Sequence, residues 1–179
     1  TNDMVVIIAN GAAGNKEIVA EGPEFDIFCL ALRKVTEFLA IKLASDGEGA
    51  SRLIICKVSK ALNKDEARII SKSVISSNLF KAAIFGKDAN WGRVLCAIGY
   101  AKTKSSVNNI DVALSSKYGR IIVCKKSTFF PYNVVKAEKV LDAKEIMVDI
   151  NMNEGEECAY AWGCDLTFDY VNINSHYRN

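Results

Sequence analysis

Histidine is almost absent from this 179-residue sequence, which has only His176. That leaves no histidine-based metal site and little material for a serine–histidine or cysteine–histidine relay. Long apolar runs are also missing. The longest apolar-rich stretch, Phe25 to Ala44, is interrupted by Asp26, Arg33, Lys34, Glu37 and Lys42, so nothing reads as a membrane span. Asn2 and Asp3 precede only a short apolar run, which is not the order of a secretory signal. The formal net charge is only +2. Lysines and arginines are scattered among acidic residues, without the clustered basic face of a nucleic-acid binder. No internal repeat, linker or low-complexity tract is present.

Cysteine, by contrast, is plentiful. Cys29, Cys56, Cys96 and Cys124 each sit inside an apolar segment, where a reduced cysteine acts as a small core hydrophobe. Cys158 and Cys164 lack CxxC spacing and have one histidine to join them. Reduced, inert thiols in a cytoplasmic protein are the expectation. A hydrophobic content of 50% against 25% charged residues suits one ordinary globular domain, or one subunit of an assembly.

Residues Met4 to Ala9 form an apolar run rich in branched side chains, predicting a strand covered on both faces. Asn10 to Gly14 then breaks it. Gly22-Pro23 opens a long helix with Phe28, Leu32, Val35, Leu39 and Leu43 on a buried face, ending near Asp46-Gly47. Arg52 to Val58 predicts a strand. Asn63 with Glu66 three residues on predicts a capped helix to about Ser76, burying Ala67, Ile70 and Val74. Ala82 to Phe85 is a short apolar run, and Arg93 to Ala101 a helix. Strands are predicted at Ile110 to Leu114 and Gly119 to Lys125, and a short helix at Val134 to Leu141. Glu145 to Ile150, Cys158 to Leu166 and Phe168 to Ile173 complete the set as strands. Helices and strands mix without strict alternation, which favours a layered α+β sandwich over a doubly wound parallel sheet.

Three segments have the composition of possible sites. Asn10 to Lys16 follows a strand as a phosphate loop would. Only two residues separate Gly11 from Gly14 and Glu17 follows Lys16, so a plain turn is expected. Ser45 to Ser51 (SDGEGAS) sets Glu48 between two glycines. Such a turn is either a helix end with a solvated carboxylate, or a carboxylate placed to grip a substrate amine. Phe85 to Arg93 (FGKDANWGR) crowds Asp88, Asn90, Trp91 and Arg93 before a helix. Asp88 or Asn90 can cap that helix, and the loop reads equally as a structural turn pinned by Trp91 and as a site-lining loop. The tail, Asp169 to Asn179, is aromatic and continues a strand pattern, so it should dock; His176 there reads as a surface residue.

Taken together, these motifs resemble those of the ornithine acetyltransferase family. Thr1-Asn2-Asp3 with Ala9-Asn10-Gly11 is similar to its TND…ANG segment, and SDGEGAS to its DGEG turn. FGKDANWGR is similar to its NWGR signature, and AWGCDLT (Ala161–Thr167) and YVNINSHYRN (Tyr170–Asn179) to its ending. The motifs run in the family's order along the whole chain.

The resemblance implies an α+β, layered α/β/β/α-type sandwich in which α and β chains interweave and pair as a heterotetramer. It also implies acetyl transfer from N-acetylornithine to glutamate in arginine biosynthesis, by a ping-pong route through an acetylated N-terminal threonine produced by self-cleavage. Thr1, followed by Asn2 and Asp3, resembles an internal part of the family's β chain. Residues 1–179 are therefore expected to be one structural unit completed by upstream residues, with the nucleophile upstream and this part inactive and prone to self-association alone. Glu48, Asn174 and Asn179 match the family's substrate-contact positions, Asn179 standing where Thr or Ser is usual. Glu48 can meet an ammonium, and the two amides a carboxylate or acetamide. No cofactor is implied, although acetyl-CoA is an acetyl donor in bifunctional members. The implied partners are the α chain, a second αβ unit and the two small substrates, with no nucleic acid and no membrane. Two other readings remain open: a self-sufficient hydrolase or transferase using Thr1 as nucleophile, and a non-catalytic interaction subunit that kept the fold.

Overall fold

The computed structural model describes residues 3–176. The chain divides into two compact units, Thr1–Leu43 and Ala44–Asn179.

In the first unit, Gly14 N–H donates to Gly11 O at 3.2 Å and Ala12 N–H to Asn10 Oδ1 at 3.1 Å. This is the plain turn expected there. The covered strand expected at Met4–Ala9 does not form: the segment carries no strand assignment, and Met4, Ile7 and Ile8 are exposed. An apolar run states a need for cover, but a strand also needs a neighbour for its backbone groups, and no strand of this chain pairs with it among the described residues. Helix α1 (Pro23–Ser45) runs out of this unit into the next. Pro23 opens it, and Glu24, Asp26 and Lys42 lie at the ends where their charges suit the helix dipole. The buried face expected on α1 is also corrected. None of its residues is buried; Phe28 and Val35 are exposed and Leu39 is half-buried. Helical spacing reports an apolar stripe, not what covers it.

The second unit is built on a six-stranded sheet. Its elements in chain order are β1 (Leu53–Ala61), α2 (Lys64–Ile75), α3 (Asn78–Phe85), α4 (Trp91–Gly99) and β2 (Asp111–Ser116). There follow β3 (Gly119–Lys125), β4 (Thr128–Phe129), α5 (Val134–Leu141), β5 (Glu145–Asn151), β6 (Glu157–Cys164) and α6 (Phe168–His176). The sheet order is β4-β3-β2-β5-β1-β6, with β1 parallel to β5 and the other pairs antiparallel. The α+β class expected from the sequence is what the chain adopts.

Side-chain alternation decides which face is covered. Ile54, Cys56 and Val58 on β1 share a face with Ile146, Val148 and Ile150 on β5, and all six are fully buried. They pack with Ala67, Ile70 and Val74 of α2, Val94 and Ala97 of α4, and Val140 and Leu141 of α5 in one core. Burying each large aliphatic side chain contributes about 1.5–3 kcal/mol. Lys57, Asp149, Arg120 and Tyr160 point to the other face, which stays open within this unit. The helices start where side-chain oxygens accept from the N–H three residues on: Asn63 from Glu66, Ser77 from Phe80, Asn90 from Arg93 and Asn133 from Lys136.

Two further expectations are corrected. Phe168 to Ile173 is part of α6, not a strand. The aromatic segment continues the strand pattern before it, but Thr167 Oγ1 accepts from Tyr170 N–H at 3.2 Å, as an N-cap oxygen does, and Asp169 lies in the first turn. Cys96 is exposed rather than buried and Cys29 is only partly covered, whereas Cys56 and Cys124 lie in the core as expected. Cys96 falls on the outer side of α4, whose buried positions are Val94, Ala97 and Ile98.

Candidate functional site

The sheet register brings two distant parts of the chain together. Strands β1 and β6 are antiparallel, and Leu53 at the start of β1 pairs with Cys164 at the end of β6. The SDGEGAS turn that enters β1 therefore lies beside the segment that leaves β6 for α6. Across this junction Asn174 Nδ2 donates to Glu48 Oε2 at 2.9 Å, between residues 126 apart in sequence. Two of the three substrate-contact positions expected from the sequence thus converge. The third, Asn179, lies outside the described residues, as does Thr1.

The atoms left over define what the pair can bind. Asn174 Nδ2 also donates to Tyr170 O at 2.9 Å, so both amide hydrogens are engaged. Among the described residues, Glu48 Oε1 and Asn174 Oδ1 make no further hydrogen bond and remain as acceptors on exposed side chains. An anionic oxygen beside an amide oxygen is a receptor for a hydrogen-bond donor, above all an ammonium.

The Glu48 turn is fastened by residues that sequence reasoning did not single out individually. Asp165 is buried and accepts from Ser51 N–H at 2.8 Å, from Arg52 N–H at 3.0 Å and from the Ser51 hydroxyl. Arg52 Nη1 lies 3.4 Å from Asp165 Oδ2, while its Nε donates to Leu141 O at 3.0 Å. Thr167 Oγ1 donates to Gly49 O at 2.7 Å. Gly49 has φ +66, and a Cβ there would lie 2.6 Å from Tyr170 N, so turn and helix touch backbone to backbone. The available signal for these residues was the pair of polar side chains in AWGCDLT, Asp165 and Thr167, directly after an apolar strand.

FGKDANWGR is used mainly by the fold. Asn90 caps α4 through Arg93 N–H at 3.1 Å and donates to Asp88 Oδ2 at 2.9 Å, and Arg93 Nη1 donates to Leu79 O at 2.7 Å. Its first residue still reaches the site's support: Phe85 meets Phe168 of α6 edge-on, centroids 5.6 Å apart. His176 is exposed at the end of α6, its Nδ1 3.1 Å from Ser175 Oγ.

Other polar groupings offer less. On the open sheet face, Arg120 and Asp149 pair at 3.6 Å and Lys57 lies over the Tyr160 ring at 5.8 Å. A concavity of about 380 Å³ beside Ser115, Lys144 and Met147 has no convergent pair like Glu48–Asn174. Among the described residues no group of three or more His, Cys, Asp or Glu is placed to hold a metal, and no helix is long and apolar enough to cross a membrane.

The chain is similar over its length to proteins of one kind. It is 43% identical over 179 residues to arginine biosynthesis bifunctional protein ArgJ 1 of Clostridium acetobutylicum, covering 100% of this chain and 44% of that protein. It is 46% identical over 178 residues to the ArgJ bifunctional protein of Caldanaerobacter subterraneus, covering 99% and 44%. The chain thus spans less than half the length of these relatives. Among solved structures, the crystal structure of ArgJ from Bacillus halodurans superposes with a TM-score of 0.88 at 41% identity, covering 99% of this chain and 82% of that one. The ArgJ family model matches residues 1–179 as well, so the chain that sets Glu48 against Asn174 belongs to the ArgJ family.

Proposed function

We propose that this chain is the larger part of the β chain of an acetyltransferase that moves an acetyl group from N-acetylornithine to glutamate in arginine biosynthesis. One observation carries the substrate side of that reading. With both Asn174 amide hydrogens engaged, the Glu48–Asn174 pair presents only acceptor atoms, which suits the ammonium of an amino-acid substrate. Relatives named as bifunctional proteins of arginine biosynthesis support the pathway, and "bifunctional" is consistent with a second acetyl donor such as acetyl-CoA.

In this reading the acetyl carbonyl is attacked by a threonine hydroxyl outside the chain. The acetamide C–N bond breaks and ornithine leaves with the proton. The amine of glutamate then attacks the threonine ester and restores the hydroxyl. Glu48 and Asn174 hold N-acetylornithine by its free side-chain ammonium so that its acetyl group meets that centre. An α chain and a second αβ unit complete the enzyme, which works in the cytoplasm.

The test is Glu48→Gln in the complete protein. It keeps shape and removes the charge, and should lower kcat/KM for N-acetylornithine about 10- to 100-fold, the weight of one hydrogen bond to a charged group. The loss should fall chiefly on KM. Unchanged kinetics would remove Glu48 from substrate recognition.

A further inference from the structure

We infer that Thr167 is a positioning residue for the substrate-ammonium pair, acting through a single hydroxyl that fixes the Glu48 turn and the Asn174 helix to each other. This rests on the substrate role proposed for Glu48.

The geometry is specific. The Glu48 side chain is exposed on its half-buried turn, and Asn174 is exposed on a helix with no buried residue. Their 2.9 Å contact therefore depends on how the two backbones are locked. Asp165 fixes the far side of the turn at Ser51 and Arg52, and among the described residues it makes no hydrogen bond to α6. Thr167 touches both. Its Oγ1 donates to Gly49 O at 2.7 Å, one residue from Glu48, and accepts from Tyr170 N–H at 3.2 Å in the first turn of α6. Tyr170 is also the residue whose carbonyl holds the Asn174 amide. The chain of contacts from Gly49 through Thr167 and Tyr170 to Asn174 closes a ring on Glu48. Thr167 itself is 5% exposed, so water does not stand in for either partner.

A helix-capping hydroxyl alone would explain the Tyr170 bond, but not the one to Gly49. The two roles differ in what they predict for a cycle of variants. If Thr167 acts through Glu48, its loss should matter only while Glu48 is there to be positioned.

The experiment uses the complete protein, with N-acetylornithine as substrate. Thr167→Val, which keeps the shape and removes the hydroxyl, should lower kcat/KM about 10-fold, mostly through KM. Thr167→Ser should restore it to within about 2-fold. In an E48Q background, T167V should add less than about 2-fold. If T167V loses as much in the E48Q background as in the parent, or loses nothing in the parent, the inference is overturned. A T167V protein that no longer gives the native circular dichroism spectrum also overturns it, because the hydroxyl would then belong to the core. If E48Q alone keeps full turnover, it is the substrate reading that fails.

Discussion

Gly49 is where the junction between the Glu48 turn and α6 is most exposed to a single methyl group. A Cβ at this position would lie 2.6 Å from Tyr170 N, 2.8 Å from Asp169 C and 2.9 Å from Asp169 Cβ. Two of these are backbone atoms and cannot rotate away. At φ +66 an L side chain is also strained. The left-handed conformation costs roughly 1–2 kcal/mol and forced overpacking about 1–3, so Gly49→Ala should cost roughly 2–5 kcal/mol if the junction stays closed. The junction has a cheaper way out. No residue of α6 is buried. Among the described residues, the hydrogen bonds and ring contact that tie this segment to the rest of its unit are Thr167–Gly49, Asn174–Glu48 and Phe85–Phe168. At about 1 kcal/mol each, these amount to about 3 kcal/mol. The helix should therefore lift off before the core opens, and the stability lost is capped at that figure. For a unit of this size the melting temperature should fall by no more than about 10 °C. Amide exchange should accelerate over residues 168–176 and stay unchanged in β1 and β5, and the acetyl transfer proposed for the complete protein should drop at least about 10-fold. A fall in melting temperature well beyond that bound would show that the junction is part of the core. Wild-type turnover with wild-type protection of α6 would show that the clash is absorbed without moving the helix.

Cysteine labelling tests the packing independently. Burial first, and then the nearby Asp149 carboxylate, push the Cys56 thiol far above its ordinary range; burial and then Asp111 raise that of Cys124. Iodoacetamide at neutral pH should therefore modify exposed Cys96 while leaving Cys56 and Cys124 unlabelled until denaturant is added, as peptide mass spectrometry can follow; early labelling of Cys56 would contradict the core assignment. The Lys87 ammonium, 2.5 Å from Asp142, holds that carboxyl below its usual value first by a hydrogen bond and then by charge. A depressed folded-state value means that the pair stabilises at neutral pH and that this contribution is lost as pH falls through it. Denaturation of the wild type and Asp142→Asn should accordingly differ at neutral pH and converge in acid, with the difference shrinking in high salt; a gap that widens in acid would refute the pairing.

Much of the second unit was legible locally. Asn63 and Asn90 signal the starts of α2 and α4, because a short polar side chain three residues before a free N–H needs no distant partner. Arg52 to Val58 and Glu145 to Ile150 announce the central strands β1 and β5, since near-continuous branched apolar residues suit the middle of a sheet. Failures came where the deciding partner is remote or missing. Met4–Ala9 has the pattern of a covered strand without a strand beside it, and α1 has an apolar stripe that nothing in the described residues buries. At Phe168–Ile173 an aromatic continuation of a strand pattern competed with the capping oxygen of Thr167, and the cap prevailed.

The sequence by itself determined the family resemblance, the α+β class and the identity of Glu48 and Asn174 as candidates, because motifs, caps and apolar periods are written in neighbouring residues. Only the tertiary structure decided that those two side chains meet, which of their hydrogen bonds are made within the pair and its helix, and that Asp165 and Thr167 bond to the turn that carries Glu48. The antiparallel register of β1 and β6 is the cause: it joins residues 126 positions apart. Such a pairing follows from which strand finds which partner across the whole chain, not from the preference of any short segment.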